Sequence, residues 1–234
     1  MIRLLGPVEV WADGRRLAGL GTAQRLAVLA ALAVDAGRPV PLETLVDRVW
    51  DEAPPAGARP ALYAHITRIR QALLELDVRR QVGPVRRAGG YVLDVDPDRV
   101  DLHRFRRLVA AARDGTRPDS ERAGLLREAL GLWQGLPLGG LTSQWAARLQ
   151  TEVRLGRFDE VIGPVRDLLA DHPLAEPLVA VLMRALVAAG RDAEALDCYA
   201  TARGRLVADL GVAPGPELRA VLEAFLRGEL DRGA

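Results

Sequence analysis

The pattern of the chain changes at Asp96-Pro97-Asp98. Before this break, short apolar runs bounded by turn residues alternate with stretches of helical period; after it, every stretch reads as helix. Proline next to two short acidic side chains stops regular structure, so the predicted domains are residues 1–95 and 98–230. The 234 residues suffice for two small domains of roughly 100 to 130 residues each. With 49% apolar and 27% charged residues the chain buries a core rather than remaining disordered. The expected fold is mainly α with a small β component.

In the first part, Ile2, Leu4, Val8 and Val10 mark strands. Asp13-Gly14 reads as a hairpin turn leading into a strand over Arg15 to Leu20. Thr22 is placed to cap a helix running to Ala36, with Leu26, Leu29 and Ala33 on one face and Gly37 as its stop. A second helix carries Leu42, Leu45, Val46 and Val49 and ends before Pro54-Pro55. A third starts near Pro60 and repeats apolar residues at Leu62, Ile66, Ile69, Leu73 and Leu76. Val85 to Val95 then reads as a β-hairpin around Ala88-Gly89-Gly90, with Tyr91, Leu93 and Val95 on one face.

In the second part, Phe105 to Ala112 and Ser120 to Trp133 form one helix pair. Leu155-Gly156-Arg157 and Ala189-Gly190-Arg191 open two further stretches whose glycines lie 34 residues apart, the period of a tetratricopeptide helix pair. Small or apolar residues follow in step: Val161, Val165 and Leu168 after the first, Ala195, Tyr199 and Ala202 after the second. An all-helical, tetratricopeptide-like domain is expected, with Tyr199 either lining its groove or packing between helices.

Formal charge sums to only +1, yet it is unevenly placed. Residues 1–95 hold 13 Arg against 10 acids, and residues 96–234 hold 19 against 21. Segment 58–90 alone has 7 Arg and 2 acids. There is no Lys, which excludes Schiff-base chemistry, a phosphate-loop lysine and a kinase-type lysine. Every cationic contact must therefore come from Arg, whose planar fork suits phosphates and guanine edges.

On the third helix, Tyr63, Thr67, Arg68 and Gln71 project away from the apolar stripe, and Arg59 and Arg70 flank it within reach of a phosphate backbone. Arg reads guanine and Gln reads adenine in a major groove. Arg86 and Arg87 stand at the edge of the hairpin tip, placed for a minor groove or its flanking phosphates. Strands, three helices and a basic hairpin describe a winged helix-turn-helix.

RLLGPVEV, RLAVLAALAVDAGRPVPLETLVDRVW, ALYAHITRIRQAL and GGYVLDV resemble the OmpR/PhoB-type DNA-binding domain, in the form used by Streptomyces antibiotic regulatory proteins. VDLHRF, DLLADHPLAEPL and LMRALVAAGRDAEALDCYATARGRLVADLGVAPGPELRAV resemble the bacterial transcriptional activator domain that follows it there. The resemblance spans nearly the whole chain and rests on no single motif. It implies sequence-specific activation of transcription: two copies on promoter direct repeats, as a homodimer on double-stranded DNA, recruiting RNA polymerase to a secondary-metabolite gene cluster. By position it implies DNA contacts from Tyr63, Ala64, His65, Thr67, Arg68, Arg70 and the wing residue Arg87. Relatives often carry Ser or Arg at Thr67, so their preferred operator does not transfer. The loop from Asp51 to Ala58 corresponds to the one through which relatives touch polymerase, making Asp51 and Glu52 the candidate contacts; an ordinary Pro-rich connector is the alternative. Between Trp145 and Gly156 the chain is about a helix shorter than expected of the family, and the ATPase and sensor region of larger members is absent, as in a small form or a truncation.

Enzymatic readings find no support. His65, His103 and His172 stand at no metal-ligand spacing, Gly19-Leu20-Gly21 lacks the third glycine of a dinucleotide loop, and Ser143 lacks elbow glycines. No cofactor is implied. The single Cys198 fits a reducing compartment, and no apolar run approaches the roughly 18 residues of a membrane span, so a cytoplasmic protein is expected. A second, non-enzymatic reading is a tetratricopeptide-like adaptor whose basic helix meets an acidic partner.

Overall fold

The computed structural model describes residues 1–17, 20–76 and 83–230. The chain divides into two units: Met1–Arg104 together with Leu136–Thr151, and Phe105–Gly135 together with Glu152–Ala234.

In the first unit, β1 (Ile2–Arg3) pairs antiparallel with β2 (Glu9–Ala12), and β2 with β3 (Arg15–Arg16). Asp13 and Gly14 both adopt positive φ, 47° and 75°, which is the two-residue turn that matches strand twist. β3 stops at Arg16 rather than Leu20; the predicted strand's Ala18 and Gly19 lie outside the described residues. Thr22 Oγ1 accepts from Arg25 N at 3.3 Å and caps α1 (Ala23–Ala33). This helix ends three residues before the expected Ala36, the chain turning through to Gly37 at φ 78°. Ala27 to Ala33 are all buried, so α1 is the centre of the unit rather than a one-faced surface helix.

α2 (Leu42–Trp50) and α3 (Ala58–Leu76) pack against α1. The stripe predicted for α3 is the one buried: Leu62, Ile66, Ile69 and Leu73 expose 3% or less. Nothing is described of the Leu76 side chain. β4 (Gly83–Arg87) and β5 (Gly90–Asp94) form the hairpin in the expected place, with Val85 opposite Val92 and Arg87 opposite Gly90. Val92 is as buried as Tyr91, so β5 is covered on both faces instead of one.

Two hydrogen bonds between Val40 and Tyr91, 2.8 and 2.9 Å, tie this hairpin to the segment before α2. Gly90 permits that approach. With φ at 151°, a Cβ there would lie 2.0 Å from the Val40 carbonyl oxygen. Gly90→Ala is therefore expected to break the Val40–Tyr91 pairing and destabilise the unit by about 2 to 4 kcal/mol. Urea denaturation measures the loss, and faster amide exchange at Val40 and Tyr91 localises it.

The returning segment Leu136–Thr151 is hydrogen bonded into the same unit. Leu138 N donates to Leu4 O at 2.8 Å and Gly139 N to Gly6 O at 3.0 Å. Asp51, at φ 53°, accepts from Gln144 N (2.9 Å) and Trp145 N (3.4 Å) and so caps α6 (Gln144–Asp171) from a distant part of the chain. The Arg48 guanidinium lies over the Trp145 ring, 5.3 Å from its centroid.

Asp96 accepts from Asp98 N at 3.0 Å, and the break seen in the sequence becomes a turn over Pro97–Arg99 that leads into α4 (Asp101–Ala112). Asp101 is a buried carboxylate, 1% exposed. Its oxygens accept from Leu4 N (2.8 and 2.9 Å), Leu5 N (3.0 Å) and Leu102 N (2.7 Å).

The second unit contains α4 from Phe105 onward, α5 (Asp119–Gly131), α6 from Glu152, α7 (Glu176–Ala188), α8 (Asp192–Arg205), a π-turn (Leu206–Leu210) and α9 (Pro216–Leu226). α7 packs on α5, α8 and α9 and is apolar almost all round, as a central helix must be. Trp133 bridges Phe105 and Phe158, its centroid 5.9 and 4.3 Å from theirs.

The 34-residue correspondence holds for helix faces and fails for turns. Val161, Val165, Leu168, Ala195 and Ala202 are all buried. Gly190, at φ 74°, closes α7, with Arg191 N donating back to Leu186 O at 2.8 Å. Gly156, in contrast, sits inside α6, which runs unbroken from Gln144 to Asp171. One glycine costs a helix only about 1 kcal/mol, too little to end it without a capping turn.

Candidate nucleic-acid interface

The buried stripe of α3 fixes what its other side presents. Tyr63, Ala64, Thr67, Arg68 and Gln71 are exposed, and His65 and Arg70 are half-buried. Arg68 has no hydrogen bond or ion pair among the described residues, and neither has Arg86. Both guanidiniums are thus available to an outside acceptor. Arg87 stands 3.8 Å from Asp94, both side chains about 60% exposed, a pairing that a phosphate readily displaces.

Other predicted contacts are already engaged. Arg59 pairs with Glu43 at 2.9 Å on the surface. Thr67 Oγ1 donates to the Tyr63 carbonyl at 2.9 Å, back-bonding to its own helix. Arg70 donates through Nε and Nη2 to Pro84 O, 3.0 and 2.7 Å away. That side chain joins α3 to the base of the hairpin, so its first task is to position the wing. Tyr63 and Tyr91, their ring centroids 6.4 Å apart, line a crevice of about 380 Å³ together with Pro41, Leu42 and Glu43 at the start of α2 and with Arg86 and Arg87 of the hairpin.

Electrostatically, the outer side of α3 is cationic. Partial burial, together with the charges of Arg25 and Arg68, holds the His65 imidazole below the ordinary histidine range. Its ring stacks on Trp50 with 6.5 Å between centroids and 30° between planes. Neither Arg25 nor Trp50 is among the contacts expected from the sequence. Arg25 stands three residues after the Thr22 cap, in the first turn of its helix.

Of the two acids in the loop after α2, Asp51 does not face outward as a candidate polymerase contact would: both its oxygens are taken by the first turn of α6. Glu52 is exposed. In the second unit, Arg166, Leu169, Val179, Leu182, Asp197 and Cys198 are among the residues lining a groove of about 430 Å³. Tyr199 does not line it but packs, half-buried, on the cluster of Val179, Met183, Ala202, Leu218 and Val221. Burial pushes the Cys198 thiol up, away from the reactive thiolate. His103 contacts Ala33 O at 2.9 Å and His172 contacts Asp119 at 2.6 Å. Among the described residues no group of three His, Cys, Asp or Glu is placed to hold a metal, and no helix is long and apolar enough to cross a membrane.

A three-helix core whose third helix and β-hairpin present cations, followed by a helical unit, is a winged helix-turn-helix regulator architecture. The comparisons agree. Residues 19–93 match the model of the transcriptional regulatory protein C-terminal family, and residues 100–151 and 144–226 match the bacterial transcriptional activator domain. The transcriptional regulator RedD of Streptomyces coelicolor is 36% identical, over 93% of this chain and 68% of its own. The regulatory protein DnrI of Streptomyces peucetius is 32% identical, over 97% and 92%. A structure of Mycobacterium tuberculosis EmbR in complex with a low-affinity phosphopeptide superposes with a TM-score of 0.57 at 31% identity, covering 97% of this chain and 65% of that one. The chain belongs to the Streptomyces antibiotic regulatory protein family of transcriptional regulators.

Proposed function

We propose that the protein is a sequence-specific, DNA-binding activator and not an enzyme, with residues 1–95 holding the DNA-binding domain and 98–230 the activator domain. One observation carries the reading: Arg68 has no partner among the described residues and is exposed on the outer face of a helix whose inner face is buried, beside a hairpin that exposes Arg86 and Arg87. In this reading Arg68 meets a base edge in the major groove, with Tyr63, Ala64, Thr67 and Gln71 around it. Arg86 and Arg87 reach the adjacent minor groove or its phosphates. Arg59 exchanges Glu43 for a phosphate, and Arg70 holds the wing at its working distance from the reader helix. Glu52 takes the polymerase-facing role in the loop after α2, since Asp51 is committed to α6. Family membership supports activation from direct repeats by two copies side by side, recruitment of RNA polymerase and control of an antibiotic gene cluster.

Footprinting on the promoters of the protein's own genome tests this. Two adjacent protected half-sites in the same orientation are expected. Absence of protection at low salt would favour the adaptor reading, in which the groove of the second unit is the working surface.

A further inference from the structure

Four stretches of the second unit enclose a cavity of about 360 Å³, within the size range of small-ligand sites. α5 contributes Arg127 and, three residues on, Leu130; α7 contributes Arg184 and, four residues on, Ala188. Those spacings put each pair on one face of its helix. Trp133 lines the cavity from the turn after α5, its ring centroid 4.3 Å from that of Phe158 on α6. The last stretch follows α9. Gly228, at φ 71°, turns the chain there, and Glu229 N and Leu230 N both donate to Ala224 O (2.8 and 3.3 Å), which brings Leu230 into the wall.

The lining defines an occupant. Leu130, Trp133, Ala188 and Leu230 are half-buried, so part of their apolar surface is left uncovered by the protein. Arg127 and Arg184 are exposed and have no hydrogen bond or ion pair among the described residues. Glu229, the acid of the lining, is already held by Arg227 Nε at 2.8 Å. In the groove of about 430 Å³, by contrast, Arg166 is matched by Glu194 at 2.7 Å. Apolar walls with two unpaired guanidiniums call for an apolar body with a negative head, and the arginine fork matches the two oxygens of a carboxylate. The indole of Trp133 offers that body an aromatic surface.

We propose that this cavity binds a small aromatic carboxylate, its ring against Trp133 and its carboxylate held by Arg127 and Arg184. The second unit then has a ligand of its own, a property beyond the DNA-binding reading and independent of it.

The test uses the full chain with naphthoate as the probe and the neutral naphthamide as its uncharged counterpart. Calorimetry should show saturable naphthoate binding with Kd below about 1 mM, and binding of the amide weaker by about tenfold or more. Nuclear magnetic resonance should place naphthoate in the cavity through shifts of the Trp133 indole N–H and of the Arg127 and Arg184 backbone amides. Arg127→Gln and Arg184→Gln, at exposed positions, should each weaken naphthoate about fivefold or more and leave the amide unchanged. Arg219→Gln, exposed on α9 outside the cavity, should alter neither. Ala188→Phe, which fills the space, should weaken both probes. The site is overturned if naphthoate shows no saturable binding, or if the amide binds as tightly. A loss that Arg219→Gln reproduces, or resonance shifts that lie away from Trp133, would overturn it equally.

Discussion

Asp101→Ala is expected to destabilise the first unit by about 3 to 5 kcal/mol and to lower its melting temperature by about 10 °C. Two effects oppose each other at this residue. Burial of the carboxylate raises its pKa from 3.8 to about 6, so the ionised form is itself disfavoured in the folded state. Against that, the carboxylate accepts from Leu4 N, Leu5 N and Leu102 N, all on buried residues. Each bond to a charged acceptor contributes about 1.5 to 3 kcal/mol, and each donor stranded without a partner costs about 1 to 3. Removing the side chain relieves one desolvation penalty and strands three donors, so loss wins. The pH dependence has a definite sign. A folded-state pKa above the unfolded value means that the folded state holds the proton more tightly. The contribution is fully present below about pH 3.8 and is lost as pH rises through about 6. Relative to Asp101→Asn, which does not titrate there, the wild-type protein should lose about 2 kcal/mol between about pH 4.5 and about pH 7. Urea denaturation of both proteins across that range measures it.

Arg68→Ala is expected to weaken binding to the protein's own operator about 10- to 100-fold and to bring specific and scrambled duplexes closer in affinity. The reason is geometric. Arg68 is exposed away from the buried stripe of α3, has no partner among the described residues, and carries a two-pronged donor that only guanine matches with two acceptors on its major-groove edge. Arg87→Ala should lower affinity for both duplexes alike, because a wing arginine meets phosphates or a groove with little sequence information. Fluorescence anisotropy with the two duplexes separates the outcomes. Equal loss on both from Arg68→Ala would reduce that residue to a phosphate contact.

What the sequence disclosed and what it hid divide by range along the chain. The α3 stripe, the Thr22 cap and the Ala88-Gly89 hairpin depend on residues a few positions apart, and their periodicity or turn chemistry carried them. The Asp101 bonds join residues 96 and 97 positions apart, and the Asp51 cap spans 93; no local pattern encodes either. The same holds for Leu136–Thr151, which reads as part of the helical half yet is hydrogen bonded to Leu4 and Gly6. Of the site, exposure of Arg68 followed from the helical period, and that of Arg86 and Arg87 from their place at the edge of the hairpin tip. That Arg70 grips Pro84 and Asp51 grips α6 did not follow, because a charged side chain's choice between an outside and an inside acceptor is made by tertiary geometry. The glycine spacing of the repeat misled at Gly156, since a glycine ends a helix only where the turn after it is supported, as at Gly190.

The central claim, that arginines of α3 and the wing neutralise DNA phosphates, is tested most directly by the salt dependence of duplex affinity for the wild-type protein and for Arg68→Ala combined with Arg87→Ala. If about five arginines act, log affinity should fall with log salt at a slope near about −4.5, and the double variant should be shallower by about 1 to 2 and bind much more weakly. Binding that is insensitive to salt, or a double variant with the wild-type slope and affinity, would contradict it.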